Sequence, residues 1–258
     1  MTFAAITFDI ADNIAVLRLN RPEVMNALNS QMRREIVQAV AQAAKEARVL
    51  VVTGAGRAFC SGQDLQDAGS LDSLDLESVL RDEYVPMLMA LVDCPIPTIA
   101  AVNGAAAGAG ANLALACDIV LASDDAHFTQ AFTRIGLIPD AGGTWFLPRM
   151  IGMQRAMGAA LFADRISAAQ ARDWGMIYET APADVFEQHW QGRAAHLAQG
   201  PTSAYRHVKT ALRASHGNDL SAQLLVEAEL QGLCGQSHDF KEGVAAFLEK
   251  RPARYLGR

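Results

Sequence analysis

The sequence predicts an α/β fold in which a strand-and-helix core is followed by a layer of helices. Three observations carry this. Short β-rich runs, each closed by Gly, Asn or Pro, recur along the first two thirds of the chain. Apolar residues at helical spacing fill the intervals between them. From Ser167 onward the pattern is helical only.

Taken in order, Ile14-Ala15-Val16-Leu17-Arg18-Leu19 reads as a strand that Asn20-Arg21-Pro22 ends. Ser30 to Ala47 reads as a helix, because Met32, Ile36, Val37, Val40 and Ala44 recur at three- to four-residue spacing. Val49 to Thr53 is continuously apolar, as expected of a strand covered on both faces, and Gly54 and Gly56 break it. An amphipathic helix is expected over Leu76 to Val92. Thr98 to Val102 repeats the strand pattern up to Asn103-Gly104, and Ile119 to Ala122 repeats it again. Between these two lies a helix of small residues, Ala111 to Ala116. Such alternation implies parallel strands joined by right-handed crossovers. Ser167-Ala168-Ala169-Gln170 carries a capping-box pattern for a helix running through Trp174. Further helices are expected over Pro201 to Ser215, Asp219 to Leu233 and Asp239 to Lys250.

At 258 residues the chain can bury a sizeable core, and 51% hydrophobic against 19% charged residues argues against disorder. A net charge of -6 argues against a nucleic-acid binder, so an anionic ligand must find local positive groups. The four cysteines (Cys60, Cys94, Cys117 and Cys234) lack metal-type or CxxC spacing and read as buried, reduced thiols of a cytoplasmic protein. The six histidines show no paired spacing and read as residues of solvated faces or loops; no metal is expected. The N-terminus lacks the basic start and apolar core of a signal peptide. Ile99 to Ala122 is too interrupted, by Asn103, Asn112 and Asp118, to span a membrane.

Several familiar motifs fail. Leu113 stands where a dinucleotide loop beginning at Gly108 and Gly110 needs its third glycine. No Gly-Lys-Ser/Thr follows Gly54-Ala55-Gly56, and Ser61 is not in a nucleophile elbow. One constellation remains. Asp140 is a lone carboxylate between Pro139 and the small residues Ala141-Gly142-Gly143. Upstream, Arg57 to Leu65 and Asn103 to Gly110 each follow a strand and contain glycines that let a backbone approach a ligand with free N–H groups. The expected N-terminus of the Ala111 helix adds partial positive charge there. A base with two converging N–H donors can form and hold an enolate. Two plainer readings stay open: Asp140 as a turn-capping acid, and the glycines as close-packing residues.

At these residues the chain resembles the crotonase (enoyl-CoA hydratase/isomerase) superfamily. The matching segments are Asn20 to Leu28, Gly56 to Leu65, Ala101-Val102-Asn103-Gly104 through Cys117-Asp118, Pro139 to Pro148 and Phe247 to Arg251. The resemblance implies a spiral of ββα units with a C-terminal helical region that trimerises, and an acyl-CoA substrate with no separate cofactor. It divides the chain into 1–195, carrying the CoA site and oxyanion hole, and 196–258, serving oligomerisation and covering the active site. It places the oxyanion donors at the N–H groups of Gln63 and Ala109. CoA would lie against Ala27, Asp64 and Leu65, with Phe247 and Lys250 reaching CoA in a neighbouring subunit of a homotrimer or a dimer of trimers.

The departures from the family pattern bear on the reaction. The two water-positioning glutamates of the hydratases fall at Asn112 and Phe132, here residues of the acyl pocket. An amide cannot act as a base, and a phenyl ring cannot orient water. The basic residue commonly found after the Asp64-Leu65 pair is Gln66. Asp140 occupies a position where isomerases of the family keep an acid. The runs Phe132 to Trp145, Arg155 to Gly158 and Trp174 to Ile177 are similar to one isomerase subgroup. That likeness implies conversion of a ring 1,2-epoxyphenylacetyl-CoA to its oxepin, in phenylacetate-type catabolism, and a shift of a 3-enoyl-CoA to the 2-enoyl isomer. Asp140 would be the catalytic base, with a raised pKa if its site is apolar. The alternatives are a dehalogenase or hydrolase that uses Asp140 as nucleophile, and a non-catalytic acyl-CoA-binding subunit. Asp67 to Asp82 is expected to cover the acyl pocket, Trp145 to pack in the core, and Asn112 either to face ligand or to bond a backbone carbonyl.

Overall fold

The computed structural model describes residues 3–65 and 75–258. Strands β1 (Ile6–Ala11) and β2 (Ile14–Leu19) form an antiparallel hairpin. Its turn residues Asp12 and Asn13 sit at φ 52° and 64°, a conformation that Asp and Asn tolerate. β2 then pairs in parallel with β3 (Val49–Gly54), which continues through β5 (Thr98–Val102) and β7 (Ile119–Ser123) to β10 (Glu179–Ala181). A second sheet has the order β4 (Ala58–Cys60), β6 (Ala105–Ala107), β8 (His127–Thr129) and β9 (Ile166–Ser167). Its first three strands are parallel and β9 is antiparallel.

The two sheets are threaded alternately, one strand of each and then a helical segment. After β3 and β4 come α2 (Leu76–Val79) and α3 (Val85–Val92), joined by a π-helical turn over Leu80–Tyr84. After β5 and β6 comes α4 (Ala109–Leu115). After β7 and β8 come a 3-10 turn, Ala131–Ile135, and α5 (Gly143–Phe162). This is the expected spiral of ββα units.

Burial on both faces explains why β3 reads as an unbroken apolar run. Leu50 and Val52 join the cluster that includes Met32 and Ile36 of α1 (Ser30–Glu46), while Val49 and Val51 face Phe186 and Trp190 of α7 (Phe186–Gln199). The capping box at Ser167 is present at the start of α6 (Ala168–Asp173), with both reciprocal hydrogen bonds formed.

The structure departs from the expected elements at several points. The region after Ser167 is not purely helical: β10 adds to the first sheet beside β7. Three residues are too few for period-two patterning to show. α4 begins at Ala109, two residues before the expected start, because Gly108 (φ 52°, ψ -128°) turns the chain directly into the helix. α5 escapes periodicity because Pro148 lies inside it and Gly152 (φ 75°, ψ 160°) kinks it. Residue 195 lies within α7, so the helical layer proper begins with α8 (Thr202–Ala214) and continues through α9 (Leu220–Gln236) and α10 (His238–Glu249). Lys209 on α8 ties this layer to the core: its Nζ donates to the carbonyls of Cys94 (2.6 Å) and Ile96 (2.8 Å) and pairs with Asp118 (2.6 Å).

Candidate active site

The second sheet brings the predicted residues together. β4, β6 and β8 lie side by side and parallel, so the segments leaving their C-terminal ends emerge at one edge. Gln63 follows β4, Ala109 follows β6 and Asp140 follows β8.

Two backbone N–H groups, those of Gln63 and Ala109, lie on adjoining turns there. Leu28 pairs with Gln63 in a parallel bridge: Leu28 N–H donates to Gly62 O (2.7 Å), and Asp64 N–H donates to Leu28 O (3.1 Å). This pairing engages the neighbours of Gln63 and leaves its own N–H pointing away from Leu28. Gly62 has φ 98°, and a Cβ built on it would lie 2.9 Å from Ala107 O and 3.5 Å from Ala109 N. The two turns are therefore in contact, with no room for a side chain between them. Ala109 opens α4, where an N–H has no partner within the helix. Among the described residues, no protein acceptor takes either the Gln63 or the Ala109 N–H.

Asp140 reaches the same place through a loop held from both ends. Leu137 N–H donates to Phe132 O (3.0 Å), and Asp140 O accepts from Gly143 N–H (2.8 Å) and Asn112 Nδ2 (2.8 Å). Asn112 Oδ1 in turn accepts from Gln130 Nε2 (2.9 Å), and both amide side chains are fully buried. Asn112 lies three residues beyond Ala109 on α4, about one helical turn. One short helix thus carries the Ala109 N–H at its start and anchors the Asp140 peptide through Asn112.

The Asp140 carboxylate has an enclosed oxygen, Oδ1, with no hydrogen-bond partner among the described residues. Burial pushes its pKa from the ordinary 3.8 to about 6, only partly opposed by a hydrogen bond from its own backbone. The Tyr84 phenol is buried nearby and donates to Gln63 Oε1 (2.5 Å). Burial raises its pKa, and the Asp140 charge adds to the rise, so the carboxylate lies within electrostatic range of the phenol that bonds the Gln63 side chain.

Other expected site residues are placed as follows. The ring of Phe132 is buried over Gly108, 3.6 Å from where a Cβ would stand. Asn112 does not open onto a pocket; it is enclosed and spends its amide on Asp140 O and Gln130, so it clamps the Asp140 loop. Asp64 is buried and ion-paired with Arg21 (2.8 Å), which also donates to Ala27 O (2.7 Å). The pair ties together two of the expected CoA-contact segments while Leu65 stays exposed. Phe247 and Lys250 are exposed at the end of α10, the lysine as its left-handed cap at φ 55°. Trp145 is not a core residue: it is 46% exposed, with the Arg149 guanidinium 4.3 Å from its ring centre. Cys234 is only half-buried, whereas Cys60, Cys94 and Cys117 are buried as expected. Gln66 and the first part of the expected pocket cover, 67–74, lie outside the described residues. Among the described residues no cluster of His, Cys, Asp or Glu is arranged to hold a metal, and no helix is long and apolar enough to cross a membrane. Sequence reasoning missed Tyr84, Gln130 and Arg33, which sit in stretches without a motif and acquire meaning only from what they touch.

Residues 9–258 match the family model described as Enoyl-CoA hydratase/isomerase. The chain belongs to the enoyl-CoA hydratase/isomerase family. Within this family it is 59% identical over 258 residues to a protein of Rhodobacter capsulatus named "Probable enoyl-CoA hydratase", covering 100% of both chains. It is 42% identical to the 1,2-epoxyphenylacetyl-CoA isomerase of Escherichia coli, covering 96% of this chain and 97% of that one. The crystal structure of an enoyl-CoA hydratase from Polaromonas sp. JS666 superposes with a TM-score of 0.93 at 32% identity, covering 98% of this chain and 100% of that one. The protein is an enzyme of the enoyl-CoA hydratase/isomerase family with an α/β fold of that type.

Proposed function

We propose that the protein is an acyl-CoA isomerase in which Asp140 moves a proton between two carbons of a thioester. The observation that carries this is the enclosed Asp140 Oδ1, without a hydrogen-bond partner among the described residues, near two N–H groups that no described acceptor takes. The thioester carbonyl accepts hydrogen bonds from Gln63 and Ala109, which acidifies the α-carbon. Asp140 takes the α-proton, and the C–H electrons pass into the carbonyl to give a dienolate. The Asp140 carboxylic acid then returns the proton at the γ-carbon, and the double bond moves from the 3,4 to the 2,3 position. A pKa of about 6 leaves the base ionised at neutral pH while keeping it stronger than a solvated carboxylate.

The substrates that fit are a 3-enoyl-CoA and a ring 1,2-epoxyphenylacetyl-CoA; the latter is the substrate class in the name of the Escherichia coli relative. For the epoxide, the C–C bond between the two epoxide carbons opens to give the seven-membered ring with both C–O bonds kept, and Asp140 moves a proton from the side-chain methylene to a ring carbon, so that the oxepin product is an isomer of the substrate. CoA lies along Ala27, Asp64 and Leu65. The exposed Phe247 and Lys250 of one subunit meet the CoA of another. A homo-oligomer is favoured by the apolar residues left open on α8, α9 and α10, including Val208, Leu224, Val244 and Phe247, which line a groove of about 910 Å³.

Hydration is the second reading, favoured by the name of the Rhodobacter capsulatus relative. It requires acids that position a water, and Asn112 and Phe132 supply neither. Separate incubations with a 3-enoyl-CoA and a 2-enoyl-CoA, analysed by chromatography, distinguish the two. The proposal expects interconversion of the double-bond isomers without appreciable 3-hydroxyacyl product. Formation of 3-hydroxyacyl-CoA at a rate matching isomerisation would establish hydration instead.

A further inference from the structure

Arg33, on the buried face of α1, is only 2% exposed and sits behind the Gln63 turn. A buried guanidinium is costly unless its donors are satisfied, and these are. Nε and Nη2 meet Glu83 Oε2 at 2.8 and 2.7 Å, and Nη2 also reaches Ser30 Oγ (3.2 Å). Nη1 donates to Leu28 O (2.9 Å) and to Gln63 Oε1 (2.8 Å), and more weakly to Tyr84 OH (3.4 Å). The guanidinium carbon also lies 4.7 Å from the centre of the Tyr84 ring.

One nitrogen therefore grips Gln63 twice. It holds the side chain directly, and it holds the backbone through Leu28 O, the same carbonyl that accepts the Asp64 N–H. The Gln63 peptide is fixed on both sides and at its side chain, which leaves its N–H one direction in which to point. The ion pair is also lopsided: the Arg33 side chain is 2% exposed and Glu83 27%, so water screens the anion more than the cation. Burial pushes the Glu83 carboxyl upward, but hydrogen bonds from Ser30 and Arg33 outweigh it and hold it below the ordinary range, so the carboxylate stays charged at neutral pH.

We infer that Arg33 is a positioning residue of the oxyanion hole, using its fork to aim the Gln63 N–H at the substrate carbonyl. This inference rests on the isomerase mechanism above, in which that N–H holds the dienolate. Lysine cannot replace it, because a single ammonium lacks the planar set of donors that joins Glu83, Leu28 O and Gln63 Oε1.

The test compares wild type, Arg33→Lys, Arg33→Met and Gln63→Met. Steady-state kinetics with a 3-enoyl-CoA are combined with difference Raman spectra of a bound 2,4-dienoyl-CoA, whose carbonyl stretch reports polarisation by the hole. Both Arg33 variants are expected to lose about 10- to 100-fold in kcat with KM changed less than about threefold. That is less than the loss from deleting a donor, because the N–H itself remains. The carbonyl red shift should shrink in both. Gln63→Met keeps the N–H and the half-exposed site but cuts the side-chain grip, and it should show the same pattern if either Arg33 variant fails to fold. Full red shift with kcat within about twofold of wild type, in a folded Arg33 variant or in Gln63→Met, overturns the inference. Absence of any red shift in the wild-type enzyme would instead refute the oxyanion hole itself.

Discussion

Replacing Asp140 by Asn should make the protein more stable at alkaline pH while removing its activity. The Asp140 pKa is raised from 3.8 to about 6, so the folded state binds a proton at this site more tightly than the unfolded chain does. The sign follows. The contribution of the protonated group to stability is full below the unfolded value near 3.8 and is lost as pH rises through about 6. Above that, the ionised carboxylate is a burden. A shift of about two units at 1.36 kcal/mol each is about 3 kcal/mol, and screening by the solvent that reaches part of this side chain brings it to about 1–2 kcal/mol. Urea unfolding of both proteins at about pH 8 and about pH 4 measures the difference directly. The replacement amide cannot ionise, so Asp140→Asn should exceed the parent by about 1–2 kcal/mol at the higher pH, with the gap nearly closed at the lower. Equal stabilities at both pH values would mean that the carboxylate is solvated, and the reasoning from its burial would fail.

Three further outcomes are expected. In wild type, kcat/KM should climb on the acid side with an apparent pKa near 6 and level off above it; a limb near 4 would indicate a solvent-exposed base. Asn112→Leu removes one of the two donors to Asp140 O and strands Gln130 Nε2, an orphaned group that costs about 1–3 kcal/mol. Thermal unfolding should register that loss and kcat should fall with little change in KM, whereas unchanged values would reduce Asn112 to packing. Light scattering of the parent should give a multiple of the chain mass, and Leu224→Asp in the groove of the C-terminal helices should shift it toward the monomer; a monomeric parent would contradict the oligomer.

The large parts of the fold were legible because their patterns are long. The buried faces of α1 and β3, the capping box at Ser167 and the three C-terminal helices follow from periodicity and cap chemistry. The second sheet was not legible: β4, β6 and β8 have three residues each, and alanine-rich Ala105–Ala107 carries no β signal. Yet those short strands are what align Gln63, Ala109 and Asp140. The glycines and the lone acid marked the turns, and the family resemblance supplied the roles of the two N–H groups. What a side chain touches was beyond reach. Asn112 has the same letter whether it faces a ligand or clamps a carbonyl, and the register of α4 decides between them. Trp145 was misplaced because α5, kinked at Gly152, offered no periodic face from which to judge its direction.

In the proposed mechanism Asp140 removes the proton α to a thioester held by Gln63 and Ala109. Phenylacetyl-CoA, which has α-protons but no double bond to shift, isolates that step in deuterium oxide. Wild type should exchange those protons, and Asp140→Asn should do so at least about 100-fold more slowly. A variant that still exchanges at a tenth of the wild-type rate, or a wild type that exchanges none, would contradict the mechanism.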